Sequence, residues 1–226
     1  DLNRRARIVP LPDPRLSSIE GGWQPDQKRE NLLIIPLSKF RSLEVRFGSI
    51  ASDGQLLSLR QTAANIIERC ASDFDNIIVT YRGASFDADP LNDLLANYGE
   101  RVEVLSSNEV PASQLFHRAS AVFWDVTATG PFESLTYKLP TVVLMRTGRW
   151  AKDAAWAEEL FIQSGIGAYN ANEAGEKLVH FSRNPSDWTK ALAIIQPVLD
   201  FYALSKKDWR SDWMDFLSNL NNRVTK

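Results

Sequence analysis

The stretch Ala121-Val-Phe-Trp-Asp-Val-Thr-Ala-Thr-Gly-Pro-Phe-Glu-Ser-Leu-Thr-Tyr-Lys-Leu-Pro-Thr-Val-Val-Leu-Met145 contains two apolar runs separated by a Thr-rich loop and a helical segment. The runs at 121–124 and 140–145 have the pattern of strands that are buried on both faces. Gly130 and Pro131 favour the start of a helix over 131–138. A strand–helix–strand unit of this kind predicts parallel strands joined by a right-handed crossover.

The same unit repeats along the chain before this stretch. We therefore predict an α/β fold with an open parallel sheet and helices on both faces, Rossmann-like, followed by a helical C-terminal segment. The predicted strands are 32–36, 76–81, 101–105, 121–124 and 140–145. The predicted helices are 54–71, 90–98, 111–119 and 131–138, and then 153–164, 172–182, 186–203 and 206–220.

Composition divides the chain into three parts. Residues 1–30 carry four prolines, which disfavour helix, so this part is predicted to be an extended lead-in or linker. Residues 31–205 form the α/β domain. Residues 206–226 form a C-terminal helix in which Trp209, Trp213 and Phe216 share one face. That face could belong to the core or dock on a partner domain.

Charge and cysteine content exclude several classes of protein. The formal net charge is -2 over 226 residues, so no general affinity for nucleic acid or anionic lipid is expected. Cys70 is the single cysteine, which excludes an internal disulfide. The sequence shows no signal peptide and no apolar run of membrane-spanning length, so we expect a cytoplasmic protein, either free or peripheral to the inner face of the membrane. The lack of an initiator Met suggests a fragment of a longer protein.

The loop 125–131 carries the most informative chemistry. Ligands of open parallel sheets bind beyond the carboxyl ends of the strands, and this loop follows one of them. Free N–H groups at the helix start formed by Gly130 and Pro131 suit a phosphate, and Thr127 and Thr129 add hydroxyl groups. Glu133, predicted in the first helical turn, could accept hydrogen bonds from a sugar. Alternatively, Thr129 only caps the helix and Glu133 only complements its dipole.

Two further loops supply basic side chains. The loop 37–53 follows the first strand and contains Ser38, Arg41 and Arg46, and Arg82 ends the second strand. An arginine can bind phosphate through two parallel hydrogen bonds. The same residues would also suit a solvated basic loop. No Walker or G-x-G-x-x-G pattern is present, so neither an ATPase nor a dinucleotide-binding protein is indicated.

No metal site or hydrolytic triad is indicated. Asp87 and Asp89 lie just beyond the second strand, but Asp89 before a proline is more simply a helix cap. The two histidines, His117 and His180, fall in predicted helices, which gives no Ser-His-Asp arrangement. We therefore predict no metal ion and no cofactor.

The stretch from Val102 to Leu144 resembles the C-terminal, nucleotide-sugar-binding domain of GT-B glycosyltransferases. That family has a helix of the type x-x-L-x-x-A-D, a strand, a Ser/Thr/Gly loop and Glu-Ala-x-x-x-Gly-x-Pro. This chain has Gln114-Leu-Phe-His-Arg-Ala-Ser120, then the strand 121–124, the Thr127–Gly130 loop, and Glu133 seven residues before Pro140. It departs from the pattern at Ser134, where the family often has Ala, and at Lys138, where it usually has Gly.

The resemblance implies the donor-binding half of a glycosyltransferase that acts in surface polysaccharide biosynthesis, with a nucleotide-sugar as co-substrate. It places the donor against Glu133, Thr127, Thr129, Gly130, Pro131, Ser134, Ser38, Arg41, Arg46 and Arg82. GT-B enzymes have two such halves, and this chain holds one. The glycan acceptor and the catalytic base are therefore expected from an N-terminal acceptor-binding domain, in the same or another chain.

Two alternatives stay open. The first is a nucleotide-sugar epimerase of the GT-B type, which would need carboxylates and a histidine near the anomeric carbon. The second is a non-catalytic α/β binding module, which would bind no nucleotide.

Overall fold

Short strands form one parallel sheet in the computed structural model, which describes residues 13–17, 19, 22–24, 30–37, 53–81, 96–145, 154–202 and 209–224. The strands are β1 (Leu32–Pro36), β2 (Asn76–Tyr81), β3 (Val102–Ser106), β4 (Ala121–Trp124), β5 (Thr141–Leu144) and β6 (Gly167–Ala168). They lie side by side in the order β3-β2-β1-β4-β5-β6, and every pairing is parallel.

Helices connect and cover these strands. They are α1 (Pro14–Ser17), α2 (Asp53–Cys70), α3 (Ala112–Leu115), α4 (Thr129–Thr136), α5 (Ala155–Gln163), α6 (Ala171–Arg183), α7 (Pro185–Tyr202) and α8 (Trp209–Val224). Residues 96–98 are also helical. Gly99 follows them with a positive φ of 54°, which is the conformation that favours glycine at the end of a helix.

The five predicted strands and their parallel direction are confirmed, with bounds that differ by one residue at most. The two-residue strand β6 was not predicted, because it lies inside a segment whose composition is mainly helical. The predicted helix 111–119 is wrong beyond Leu115. There the chain continues in tight turns, with Arg118 N–H bonded to Leu115 O at 3.0 Å, because Phe116 and Ala119 enter the core just before β4.

The sheet is covered on both faces, as its apolar strands predict. Every residue of β1 is buried. The crossovers β1–α2–β2 and β4–α4–β5 run in opposite directions along the sheet, so right-handed connections place α2 and α4 on opposite faces. Helix α6 packs on α2 and on β4 and β5, whereas α4 packs on β4, β5 and α7.

Helices α2 and α6 meet closely near the end of α2. A Cβ atom on Gly175 of α6 would lie 2.7 Å from Cγ of Arg69, so glycine permits this approach. Beside it, the buried Cys70 Sγ lies 4.0 Å from the Gly175 carbonyl oxygen. The Asp73 carboxylate then joins the two helices, because Arg183 binds it at 2.8 Å and Arg69 lies 3.8 Å away.

The lead-in contributes to the core. One helical turn, α1, interrupts the predicted extended segment because Pro14 suits a first helical position and the Asp13 side chain accepts a hydrogen bond from Leu16 N–H. Leu16 and Trp23 are buried. At the end of the lead-in, Arg118 donates hydrogen bonds to both carboxylate oxygens of Glu30, at 2.9 and 2.8 Å. That contact holds the pKa of Glu30 below its usual value.

The turn after α4 has the geometry of a Schellman cap. Leu139 N–H bonds to Ser134 O, and Lys138 N–H bonds to Leu135 O, both at 2.9 Å. Lys138 has a φ of 62°, in the left-handed region. The turn that the family usually makes with Gly is therefore formed here by a lysine. Trp188 of α7 reinforces it by donating from Nε1 to the Lys138 carbonyl oxygen at 2.7 Å.

The C-terminal helices divide between core and surface. Trp188 of α7 is fully buried and belongs to the core. In α8 the rings of Trp213 and Phe216 contact each other, and Met214 and Leu217 are exposed. The side chain of Trp209 lies outside the described residues, so docking of α8 on a partner stays a prediction. Within the described residues, no helix is both long and apolar enough to cross a membrane.

Candidate active site

The strand order creates a crevice between β1 and β4. From β1 the chain proceeds to β2 and β3 on one side, and from β4 it proceeds to β5 and β6 on the other. The connections that leave the carboxyl ends of β1 and β4 therefore diverge to opposite faces of the sheet. Open parallel sheets bind ligands at such a switch point. The loop after β4, residues 125–128, lies directly beside it.

Helix α4 begins at this switch point without a side-chain cap. It starts at Thr129, two residues earlier than predicted, and its N-cap is Ala128, which has an extended backbone and no side-chain oxygen to accept a hydrogen bond. The expectation that Thr129 caps the helix is therefore wrong, because Thr129 is itself the first helical residue. The first N–H groups of an α-helix have no partner within the helix. Together with the helix dipole, they make the start of α4 suitable for an anion.

Trp124, at the end of β4, fixes how α4 sits on the sheet. Its indole packs so closely on Gly130 that a Cβ there would lie 2.2 Å from Cζ3 of the ring. Its Nε1–H donates to Ser134 Oγ at 3.0 Å, and Ser134 Oγ donates to Pro131 O at 3.0 Å. Thr141 Oγ1 of β5 lies 3.0 Å from the same Ser134 oxygen. This network joins β4, α4 and β5 at the carboxyl edge of the sheet.

Two carboxylates are buried near the start of α4. Asp125, directly after β4, is 1% exposed, and Glu133 is 7% exposed. Because α4 starts at Thr129, Glu133 is its fifth residue and lies in the second turn, not in the first as predicted. Buried carboxylates are rare unless paired or used, because water solvates charge far better than a protein interior does.

Sequence analysis did not single out Trp124, Asp125 or Arg60. With Asp125 and Glu133, Arg60 is a third buried charged residue. Arg60 of α2 is 0% exposed. Arg60, Ala63, Ala64 and Ile67 follow the i, i+3, i+4, i+7 spacing of one helix face and are all buried. The helical periodicity therefore contained the signal that this arginine faces the sheet, and an aspartate that ends a buried strand is a comparable signal.

Sequence comparison identifies the family. A sequence model of the family described as LIC12162 family transferase matches residues 2–217, which is nearly the whole chain. The chain belongs to the LIC12162 family of transferases. No curated protein matches it in sequence.

Solved structures align with this LIC12162 family transferase at low sequence identity. A Staphylococcus aureus MnaA–UDP structure aligns with a TM-score of 0.53 and 9% identity over 87% of this chain and 48% of its own. A mutant O-GlcNAc transferase of Thermobaculum terrenum aligns with a TM-score of 0.47, 16% identity, and 92% and 38% coverage. Phytolacca americana UGT2 aligns with a TM-score of 0.48, 13% identity, and 86% and 45% coverage.

The chain therefore spans less than half the length of each of these structures. The sheet order and the MnaA alignment show a Rossmann-like α/β fold, in agreement with the GT-B-like domain that the sequence resemblance implies.

The predicted site residues of this LIC12162 family transferase fall into two groups. The structure describes the group after β4: Thr127 is partly exposed, Thr129 is exposed, and Gly130, Pro131, Glu133 and Ser134 are buried. All six lie on one loop and helix beside the switch point. The other group, Ser38, Arg41, Arg46 and Arg82, lies outside the described residues, as do Asp87 and Asp89. Among the described residues, no cluster of three or more His, Cys, Asp or Glu side chains could hold a metal ion.

Proposed function

We propose that the chain is the donor-binding half of a glycosyltransferase that moves a sugar from a nucleotide-activated donor to a glycan or another hydroxyl acceptor. The observation that carries the proposal is the uncapped start of α4 at the switch point, with the carboxylates of Asp125 and Glu133 beside it in sequence. Membership of a transferase family and the likeness in fold to a protein whose structure contains UDP support it.

The chemistry that we propose depends on charge. When the sugar leaves, negative charge develops on the nucleotide diphosphate. The N–H group of Gly130 and the dipole of α4 would stabilise this charge in a fixed geometry. Arg41, Arg46 and Arg82 would add positive charge, and Ser38 a hydroxyl donor. No metal ion is needed in this scheme. The acceptor and the base that activates it would come from a second half, and surface polysaccharide is the acceptor class that we propose.

Glu133 is the residue that we assign to the donor's hydroxyl groups. A carboxylate accepts two hydrogen bonds from neighbouring hydroxyls, and a hydrogen bond to a charged group contributes about 1.5–3 kcal/mol. Replacement by glutamine keeps the size of the side chain and removes the charge. We therefore expect Glu133→Gln to weaken nucleotide binding about tenfold or more while the fold survives.

Calorimetric titration tests both statements. UDP, GDP, CMP, UDP-N-acetylglucosamine and GDP-mannose are titrated into the wild-type chain, and one nucleotide class is expected to bind. The titration is repeated with Glu133→Gln and with Glu176→Gln, a control on the exposed face of α6. Far-ultraviolet circular dichroism checks the fold of each variant. Lack of binding by the wild type would contradict donor binding, whereas unchanged affinity in Glu133→Gln would make Glu133 structural.

A further inference from the structure

Thr80, near the end of β2, has a buried hydroxyl group that stabilises no contact in the described part of the chain. The residue is 1% exposed, and Oγ1 has no hydrogen-bond partner among the described residues. The backbone of Thr80 does form hydrogen bonds, since its carbonyl oxygen accepts one from Leu37 N–H at 2.9 Å. Its neighbours along β2 are Ile77, Ile78 and Val79, all buried and apolar. A valine has almost the same shape as threonine and would fill this position without burying a hydroxyl.

Thr80 lies in the same row of the sheet as the residues at the switch point between β1 and β4. In β2 it pairs with Pro36, the last residue of β1. Ile34 of β1 pairs with Val122 of β4, so Pro36 and Trp124, each two residues further along its strand, fall in the same row, and Trp124 pairs with Val143 of β5. Paired residues of parallel strands point to the same face of a sheet. Thr80, Pro36 and Trp124 therefore form one row on one face, at the carboxyl edge.

This face is the one that carries the start of α4. Trp124 and Thr141 reach Ser134 of α4 from it, which fixes the side of the sheet on which α4 lies. Neighbouring strands are about 4.8 Å apart, so Thr80 lies about 10 Å from Trp124 along the row. A nucleotide-sugar is longer than that distance. A ligand whose diphosphate binds at the start of α4 can therefore extend over Pro36 to Thr80.

We infer that the Thr80 hydroxyl is a ligand-binding group, which forms a hydrogen bond with a polar oxygen of the bound nucleotide-sugar at the end of β2. This inference rests on the proposed function. It assigns the donor to the α4 face of the sheet and extends the site one strand beyond β1. In the free protein, burial removes the Thr80 hydroxyl group from water, and no described residue replaces the lost hydrogen bond. In the complex, the ligand would supply that hydrogen bond.

Two matched substitutions separate binding from folding. Thr80 and Thr141 are both buried threonines on this face, but Thr141 Oγ1 lies within hydrogen-bond distance of Ser134 Oγ and of Leu139 O, at 3.0 and 2.6 Å. Thr80→Val is expected to leave the melting temperature unchanged or to raise it, and to weaken binding about tenfold. Thr141→Val is expected to lower the melting temperature, because it breaks a satisfied network. Thr80→Ser keeps the hydroxyl and is expected to retain the affinity.

The measurement is a calorimetric titration of the full chain with the nucleotide-sugar that binds the wild type most tightly, UDP-N-acetylglucosamine or GDP-mannose. Equal affinity of the wild type and Thr80→Val overturns the inference and leaves the proposed function standing. A melting temperature that falls in Thr80→Val as it does in Thr141→Val also overturns it, because the hydroxyl would then stabilise the fold. Absence of binding by the wild type to every nucleotide tested removes the proposed function, and this inference with it.

Discussion

At the scale of the residue, Gly130 fits the sequence pattern of a ligand-binding turn, but the structure requires glycine there for packing. Glycine at a strand-to-helix junction predicts close approach of a phosphate or a tight turn. In the structure its missing side chain makes room for the indole of Trp124, whose nearest ring atom would lie 2.2 Å from a Cβ. The glycine is therefore needed for the packing of β4 against α4, whatever ligand binds nearby.

Replacing Gly130 with alanine tests this explanation. The added methyl group must displace a ring whose Nε1 is held by Ser134, so we expect Gly130→Ala to lower the free energy of unfolding by about 1–3 kcal/mol. Urea denaturation measures the change. In a Trp124→Leu background, which already lacks the ring, the same substitution should cost much less. Equal costs in the two backgrounds would show that the contact with Trp124 is not the reason for the glycine.

The residues that sequence reasoning found and missed differ in a physical way. The sequence singles out Glu133, Gly130 and Thr129 as site candidates because they stand in a short local pattern at known spacing from Pro140. Trp124 was read only as part of an apolar strand, and Asp125 only as the start of a loop. Their roles depend on contacts between β4, α4 and β5. Such tertiary contacts have no periodicity in the sequence, so pattern analysis assigns the elements and leaves these contacts unassigned.

At the scale of the element, helix α4 begins with an unfavourable N-cap residue at the switch point of the sheet. Ala128 is among the least favourable N-cap residues, yet its extended backbone has the conformation that a cap requires. The end of the same helix also uses an unfavourable residue, since Lys138 adopts the left-handed conformation that glycine adopts at lower cost. Between these ends, the helix depends on packing with Trp124 and Thr141 for its position.

Providing the missing cap should stabilise the protein and impair the proposed site. Ala128→Ser and Ala128→Asp each supply a side-chain oxygen for the Gly130 N–H group, so each is expected to add about 0.5–2 kcal/mol to the free energy of unfolding. Both should weaken nucleotide binding, and Ala128→Asp should weaken it more because its charge repels a diphosphate. Denaturant titration and calorimetry measure the two effects. A stabilised Ala128→Asp variant with unchanged affinity would show that the phosphate binds elsewhere.

Element boundaries were predicted best where apolar periodicity and packing agree. The strands β1 and β4 and the helix α2 match within one residue, since each buries a continuous apolar run or one apolar face. The sequence predicts the start of α4 two residues late, because proline favours the first helical position and Pro131 is the third residue of the helix. Proline suits any position of the first turn, where its missing N–H group would have no partner.

At the scale of the whole molecule, the order of the strands carries the functional argument. The alternation of strands and helices predicted a parallel sheet, and that was confirmed. The order β3-β2-β1-β4-β5-β6 depends on long-range pairing between Ile34 and Val122, which are separated by two other strands in sequence. Because this pairing puts β1 beside β4, it locates the switch point. Five of the six strands in the described part of the chain could be predicted individually, but the crevice between β1 and β4 could not.

Cys70 offers a probe of the whole fold that is remote from the proposed site. It is the single cysteine, it is fully buried between α2 and α6, and burial raises the pKa of its thiol to about 12. Helix α2 runs from the carboxyl end of β1 back to the amino end of β2, so Cys70 lies at the edge of the sheet opposite the start of α4. A thiol reagent needs the thiolate and access to it.

We therefore expect labelling of Cys70 at pH 8 to require unfolding, and to report ligand binding at the other edge. If a nucleotide binds only the folded chain, a concentration of 100 times its dissociation constant stabilises that chain by about 2.7 kcal/mol, so labelling should slow about 100-fold. A thiol reagent that is followed by absorbance measures the rate, and Glu133→Gln, tested at the same nucleotide concentration, should be protected much less than the wild type. Rapid labelling that the nucleotide leaves unchanged would show that the contact between α2 and α6 opens locally, without unfolding of the sheet.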